Sequence, residues 1–165
     1  MKATQREFRQ AAPLAARDGR VFFFCGPDEA GASAAAQAIV DLLDESGERV
    51  ELSGSELRSD PVLLADEARS SSLFGGTRHI WVRANGDEAH DAVKVFLELI
   101  DAGEAEGACP VMIVATSATD KARTAKLLEA RGDGFVAMFH QPDLKTVTEE
   151  VRRMADAAAL PRSPS

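Results

Sequence analysis

Short apolar runs alternate with amphipathic stretches along this chain. "VFFFC" (Val21–Cys25) is a continuous apolar run ending in Gly-Pro, the pattern of a strand buried on both faces. From Ala30 the period becomes helical, with Ala35, Ala38, Ile39, Leu42 and Leu43 on one face and Gly47 closing the segment. "RVELS" (49–53) reads as a more polar second strand. Asp60 followed by Pro61 predicts a helix start, with Leu63, Leu64 and Ala68 facing inward up to "SSSLFGG".

The alternation continues. "HIWVRA" (79–84) predicts a third strand, and Ala89, Ala92, Val93, Phe96 and Ile100 recur at helical spacing. "VMIVAT" (111–116) is a strand as apolar as the first. A helix over about 119–131, stopped by Gly132, precedes a fifth strand, "FVAMFH" (135–140). A last helix opens at Pro142-Asp143 and carries Leu144, Val147, Val151, Met154 and Ala158 on one stripe, before a "PRSPS" tail with nothing to pack. Five strands separated by helices predict an α/β domain: three layers around a mostly parallel sheet, with the first and fourth strands at its centre.

Composition narrows the function classes. A chain of 165 residues suits one domain, and 45% hydrophobic with 28% charged residues is ordinary globular composition. A net charge of -8 argues against holding DNA through an overall basic field. The first twenty residues lack the apolar core of a secretory signal, and no segment is long enough to span a membrane, so a cytoplasmic protein is expected.

Cys25 and Cys109 show no metal spacing and read as small buried hydrophobes. They fall at opposite ends of neighbouring strands, roughly 15 Å apart at about 3.3 Å per residue, so no disulfide is expected. His79, His90 and His140 lie on separate elements without ligand spacing, and Trp81 reads as a core residue. "DESGER" and "TEEVRR" read as solvated helix surface.

Two stretches carry candidate chemistry. "GPDEAGAS" (26–33) follows the first strand and opens a helix, the place where ligands gather in such folds. Gly26, Gly31 and Ser33 keep the spacing of a phosphate loop, Gly-x-x-x-x-Gly-Lys-Ser/Thr, but Ala32 stands where the lysine belongs. Without that point charge the β- and γ-phosphates lose their main partner, and Asp28 and Glu29 add like charge. The third strand ends in Arg83, Ala84 and Asn85 rather than a magnesium-holding acid, and Asp87 and Glu88 read as caps of the next helix. The loop is therefore degenerate, with no ATP site, cofactor, catalytic residue or metal expected.

The second stretch is "SSSLFGGTRHIWVR" (70–83). Leu73 and Phe74 can be core residues at a helix end. Neighbouring helical side chains diverge by about 100°, however, so one packing face rarely buries both. Small residues on either side leave the pair standing out, as an anchor for a partner's hydrophobic pocket does. The pattern alone leaves both readings open.

"FCGPDEAG", "VELSGSELRSDPVLLADEARSSSLFGGTRHIWVR" and "DKARTAKLLEARGDGFVAMFHQPD" resemble the amino-terminal region of the delta-subunit family of bacterial DNA polymerase III. The resemblance runs from about Val21 to Leu160. Its most specific piece is "SLFGG" leading into an R-h-h-x-V-R strand, and the family's own phosphate loop starts with a similar, equally degenerate "GPDE".

That resemblance implies an AAA+-like domain over 1–141 that has lost its ATP site, then the first helix of a lid and a tail over 142–165. It implies a clamp-loader subunit of the polymerase III holoenzyme, an enzyme only by association with a DNA polymerase. Leu73 and Phe74, approached by Ser70, Ser71 and Ser72, would engage the sliding clamp (the beta subunit) and help to open it during DNA replication. Other loader subunits, gamma/tau and delta prime, would be partners of the full-length protein, and DNA would be met only through the whole assembly. The family has a further lid and a carboxy-terminal collar, so a truncated or excised piece is expected. Two other readings stay open: a small kinase or ATPase with a nonstandard loop, and a purely structural subunit-interaction domain.

Overall fold

The computed structural model describes residues 1–70, 76–141 and 152. Its strands are β1 (Lys2–Ala3), β2 (Val21–Cys25), β3 (Glu48–Ser53), β4 (Arg78–Ala84), β5 (Val111–Ala115) and β6 (Gly134–Met138). The helices are α1 (Phe8–Asp18), α2 (Glu29–Leu42), α3 (Gly54–Ser59), α4 (Leu63–Arg69), α5 (His90–Asp101) and α6 (Arg123–Glu129). One sheet runs β1-β6-β2-β5-β4-β3, and each pairing is parallel.

The two most apolar runs, β2 and β5, lie at the centre with all five residues of each buried. Alternate strand residues face opposite sides of the sheet. Val21, Phe23 and Cys25 therefore share a core with Leu57, Leu64, Phe96 and Leu128 from α3 to α6. Phe22 and Phe24 face the other layer, with Ile39 of α2, Ala12 and Ala15 of α1, Trp81, Met112 and Phe135. Each of these fully buried phenylalanines contributes about 2 kcal/mol through area removed from water.

Six strands stand where the apolar runs predict five. The extra one, β1, has only two residues, too short for any periodicity. Ala3 is buried, Lys2 pairs with Val136 of β6, and the Lys2 ammonium lies 3.0 Å from Asp120. Cys25 pairs with Ala115 and Val21 with Val111, which puts Cys25 and Cys109 at opposite ends of adjacent strands, both free thiols. Cys109 is only half-buried, unlike Cys25.

Several helix boundaries differ from the sequence pattern. Asp60 is the C-cap of α3 rather than the N-cap of a longer helix, and its N–H bonds to the Glu56 carbonyl at 2.9 Å. A serine N-cap starts α3 earlier: the Ser53 hydroxyl accepts from the Glu56 amide and donates to the Glu56 carboxylate, both at 3.1 Å. Pro61 then ends that helix, because the residue before a proline avoids the α region, and α4 begins at Leu63.

The 119–131 helix shrinks to Arg123–Glu129, with Ala122 in an extended conformation at its start. Leu42 is 47% exposed and Ala38 only half-buried, because the inward face of α2 is Ala32, Ala35, Ala36, Ile39 and Val40. "DESGER" spans the turn into β3 and that strand's first two residues, not a helix, and Gly47, at φ +62, makes the turn possible. "TEEVRR" and the final helix fall almost wholly outside the described residues.

Candidate functional site

The connection from β2 to α2 is three residues: Gly26, Pro27 and Asp28. A phosphate loop needs a row of backbone N–H groups turned toward one anion. Here several of those groups are already spent or missing. The Gly26 amide donates to the Ala118 carbonyl at 2.9 Å and the Asp28 amide to the Phe139 carbonyl at 3.2 Å. Pro27 has no N–H. Gly26 sits at φ +103, and a side chain there would come within 2.2 Å of the Phe139 carbonyl, so the turn is pressed against the residue after β6.

Asp28 engages two more amides. It is the N-cap of α2, its carboxylate accepting the Gly31 amide at 3.0 Å while its carbonyl accepts the Ala32 amide at 2.9 Å. Gly31 and Ala32 thus lie inside the first turns of the helix, and Ala32 is fully buried in the sheet-facing core. A lysine at that position would point into packed apolar side chains. Ser33 lies half-buried on a cleft of about 280 Å³ with Ser53, Ser55, Trp81, Arg83, Asn85, Glu29 and Glu88. Gly26, Gly31, Ala32 and Ser33 therefore keep the spacing of a phosphate loop, with the amides of Gly26, Asp28, Gly31 and Ala32 bonded within the chain.

The acids after β4 are also committed internally, in a way the sequence pattern misassigns. Neither caps α5, whose N-cap Ala89 has no side-chain partner. Asp87 reaches across to α6 instead. It accepts from the Arg123 amide at 3.0 Å, the Thr124 amide at 3.2 Å and the Thr124 hydroxyl at 2.7 Å. Burial alone would push the Asp87 carboxyl up, but these donors hold it below its ordinary value. Glu88 folds back onto the Asn85 and Gly86 amides, and these bonds likewise outweigh burial and lower its pKa. No group of three metal-type ligands occurs among the described residues.

His79 is buried, accepting from Arg49 at 3.2 Å and bonding the Ser46 carbonyl at 2.8 Å. Arg49 also lies 4.0 Å over the Trp81 ring, so this cluster fastens β3 to β4. His90 touches the Thr124 hydroxyl at 3.4 Å, and His140 is exposed.

The Leu-Phe stretch divides at the edge of what is described. Ser71, Ser72, Leu73, Phe74 and Gly75 lie outside the described residues, while Ser70 and Gly76 bound them. Ser70 is the C-cap of α4, with its hydroxyl donating to the Asp66 carbonyl at 2.6 Å. Arg78, the first residue of β4, donates to the Ser70 carbonyl at 3.2 Å and to the Glu67 carboxylate at 2.9 Å. Arg78 is the first arginine of the R-h-h-x-V-R strand, to which the sequence pattern alone assigned no partner. The lid helix expected over 142–165 also lies outside the described residues, apart from Arg152, which is helical and exposed.

No helix among the described residues is long and apolar enough to cross a membrane. No family model matches the chain, and no curated protein matches its sequence. Among solved structures it is similar to the RuvB Holliday junction branch migration motor of Thermotoga maritima, at 15% identity and a TM-score of 0.53, over 94% of this chain and 50% of that one. It is also similar to PCH-2 of C. elegans, at 12% identity and a TM-score of 0.48, over 96% and 48%. The chain thus spans about half the length of either. With each strand pairing parallel and helices on both faces, the chain shares its α/β fold with that branch migration motor.

Proposed function

We propose that this chain is the clamp-engaging part of a clamp-loader subunit of the delta type, acting in the cytoplasm by binding and not by catalysis. The observation that carries the reading is the β2–α2 turn, where Asp28 occupies the helix N-terminus and Ala32 is buried in the core. An AAA+-like fold with its nucleotide cradle closed from inside suits a subunit whose task is mechanical. The resemblance in "SLFGG" supplies that task. Leu73 and Phe74, with Ser72 beside them, enter a hydrophobic pocket on the sliding clamp and help one of its interfaces to open. The other loader subunits bind ATP, and DNA is contacted only by the assembled loader.

The test is a calorimetric titration of this chain into the sliding clamp of the same organism, beside a Leu73→Ala/Phe74→Ala double variant. Two anchor residues at about 2 kcal/mol or more each should make binding by the variant roughly 700-fold weaker or more. Equal binding by a folded variant removes the Leu-Phe anchor and leaves a structural subunit-interaction domain. Magnesium-dependent ATP binding by the chain would instead favour a P-loop enzyme.

A further inference from the structure

Met1 is tied into the sheet through its own nitrogen. Its ammonium donates to three carbonyls, those of Glu129 at 3.1 Å, Arg131 at 2.9 Å and Gly134 at 2.8 Å. The Val136 amide returns a bond to the Met1 carbonyl at 3.0 Å. Met1 thus makes the first rung of the β1–β6 ladder, ahead of the pairs Lys2–Val136 and Ala3–Ala137.

The three acceptors span the connection from α6 to β6. Glu129 is the last residue of α6, and a helix leaves its final carbonyls without intrahelical partners. One nitrogen therefore serves the helix end, the turn after it and the start of β6 together.

What the nitrogen contributes is donors more than charge. Burial holds the Met1 ammonium below its ordinary value, and the nearby Glu129 and Asp133 carboxylates offset this only in part. An amide nitrogen in the same place keeps one N–H, enough for the Gly134 carbonyl. The Glu129 and Arg131 carbonyls would then lose their donor and face another carbonyl oxygen.

Little else holds β1. It is two residues long, shorter than strands usually are, and the partly exposed Lys2–Asp120 pair adds little. Its seating is nevertheless passed on. Ala3 is buried, the Gln5 Oε1 accepts the His140 amide at 3.0 Å, and the Phe8 ring meets Phe139 edge-on at 5.7 Å. The chain leaving β6 thus rests on the segment that follows β1.

We propose that the free α-amine of Met1 is a modification-sensitive latch: an acyl group or one further residue on that nitrogen unseats β1 and loosens the chain where it leaves β6. The latch is independent of the clamp-binding reading.

The experiment compares amide hydrogen exchange in this chain with Met1 free, with its α-amine acetylated, and with Gly-Ser placed ahead of it. In both blocked forms exchange at Val136 and His140 should rise about tenfold, while Phe23 and Ile113 in the central strands keep their protection. Lys2→Gln removes the Asp120 pair but leaves the amine free, and should raise the same exchange less than about threefold.

Unchanged exchange in the blocked forms would overturn the latch. So would an equal rise at Phe23 and Ile113, which marks general destabilisation, or an equal rise in Lys2→Gln, which assigns the seating to the side chain. If the blocked forms do not fold, the free chain decides. Pyridine-2-carboxaldehyde, which reacts with α-amines, should label Met1 at least about tenfold more slowly in buffer than in denaturing urea, and equal rates overturn the latch.

Discussion

The Asp28 carboxylate accepts the Gly31 amide at 3.0 Å, placing an acid of the chain itself where a phosphate loop would receive its anion. Helix N-termini bind anions through such free N–H groups, and here the cap has taken one of them. Asp28→Ala should lose about 1 kcal/mol of stability by urea unfolding, the usual worth of a cap. It should still show no saturable binding of magnesium-ATP by calorimetry, because Gly26 and Ala32 also use their amides internally. Micromolar ATP binding by either protein would contradict this account.

Rewriting the motif should not rebuild the site. Ala32→Lys restores the letter of the phosphate loop but puts a long cation at a fully buried position on the sheet face of α2. Overpacking alone costs about 1–3 kcal/mol, and the charge adds desolvation. The expected result is a strongly destabilised or insoluble protein that gains no nucleotide binding. A stable Ala32→Lys variant that binds ATP would show the turn to be more adaptable than its geometry implies.

Gly26→Ala tests the same turn from the other side. With φ at +103 and the Phe139 carbonyl 2.2 Å from the added carbon, strain and collision act together. A loss of about 2 kcal/mol or more is expected in denaturant unfolding. Gly86→Ala serves as the control, since its nearest neighbour lies at 3.4 Å and its φ is not in the left-handed region; it should change stability little.

Asp87 makes stability depend on acid. Its folded pKa lies below the ordinary 3.8, so it stabilises the fold above that value and the contribution is lost as pH falls through the folded pKa. Urea midpoints measured from about pH 6 down to about pH 2 should fall less steeply for Asp87→Asn than for the parent. Parallel curves would mean that the bonds to Thr124 and Arg123 do not survive in solution.

The two thiols should react in a fixed order. Burial pushes the Cys25 thiol up to about 12, and its Sγ is 3.7 Å from the Ala137 carbonyl inside the sheet. The Cys109 thiol is also raised by burial, but it is half-buried and lines a surface groove with Arg69 and Ser70. Iodoacetamide at mildly alkaline pH should modify Cys109 first, with Cys25 protected until global unfolding. Equal rates under native conditions would argue against a closed β2–β6 core.

Much of the architecture was legible because its signals are local. "VFFFC" and "VMIVA" are apolar at every position, and only a central strand with helices on both faces buries such runs. The missing lysine at Ala32 was equally readable, since a point charge depends on one side chain. The start of α3 was legible in principle from the Ser53–Glu56 pair but was masked by the Asp60-Pro61 signal. For the Leu-Phe segment, the sequence supplied Leu73 and Phe74 by resemblance, while the described structure bears on their stems.

What the chain determined by itself is therefore five of the six strands, most of the helices and the absence of a lysine at position 32, because hydrophobic period and residue chemistry act within a few positions. What only the tertiary structure decided is where polar groups find partners across long sequence distances. Asp87, read as a local cap, ends on α6 more than thirty-five residues away. Lys2–Ala3 becomes a strand only because β6 offers an open edge. Arg78 finds Glu67 and Ser70 only once α4 and β4 are brought side by side. Hydrogen bonds depend on distances of about 3 Å and on direction, and neither exists until the sheet has set the register.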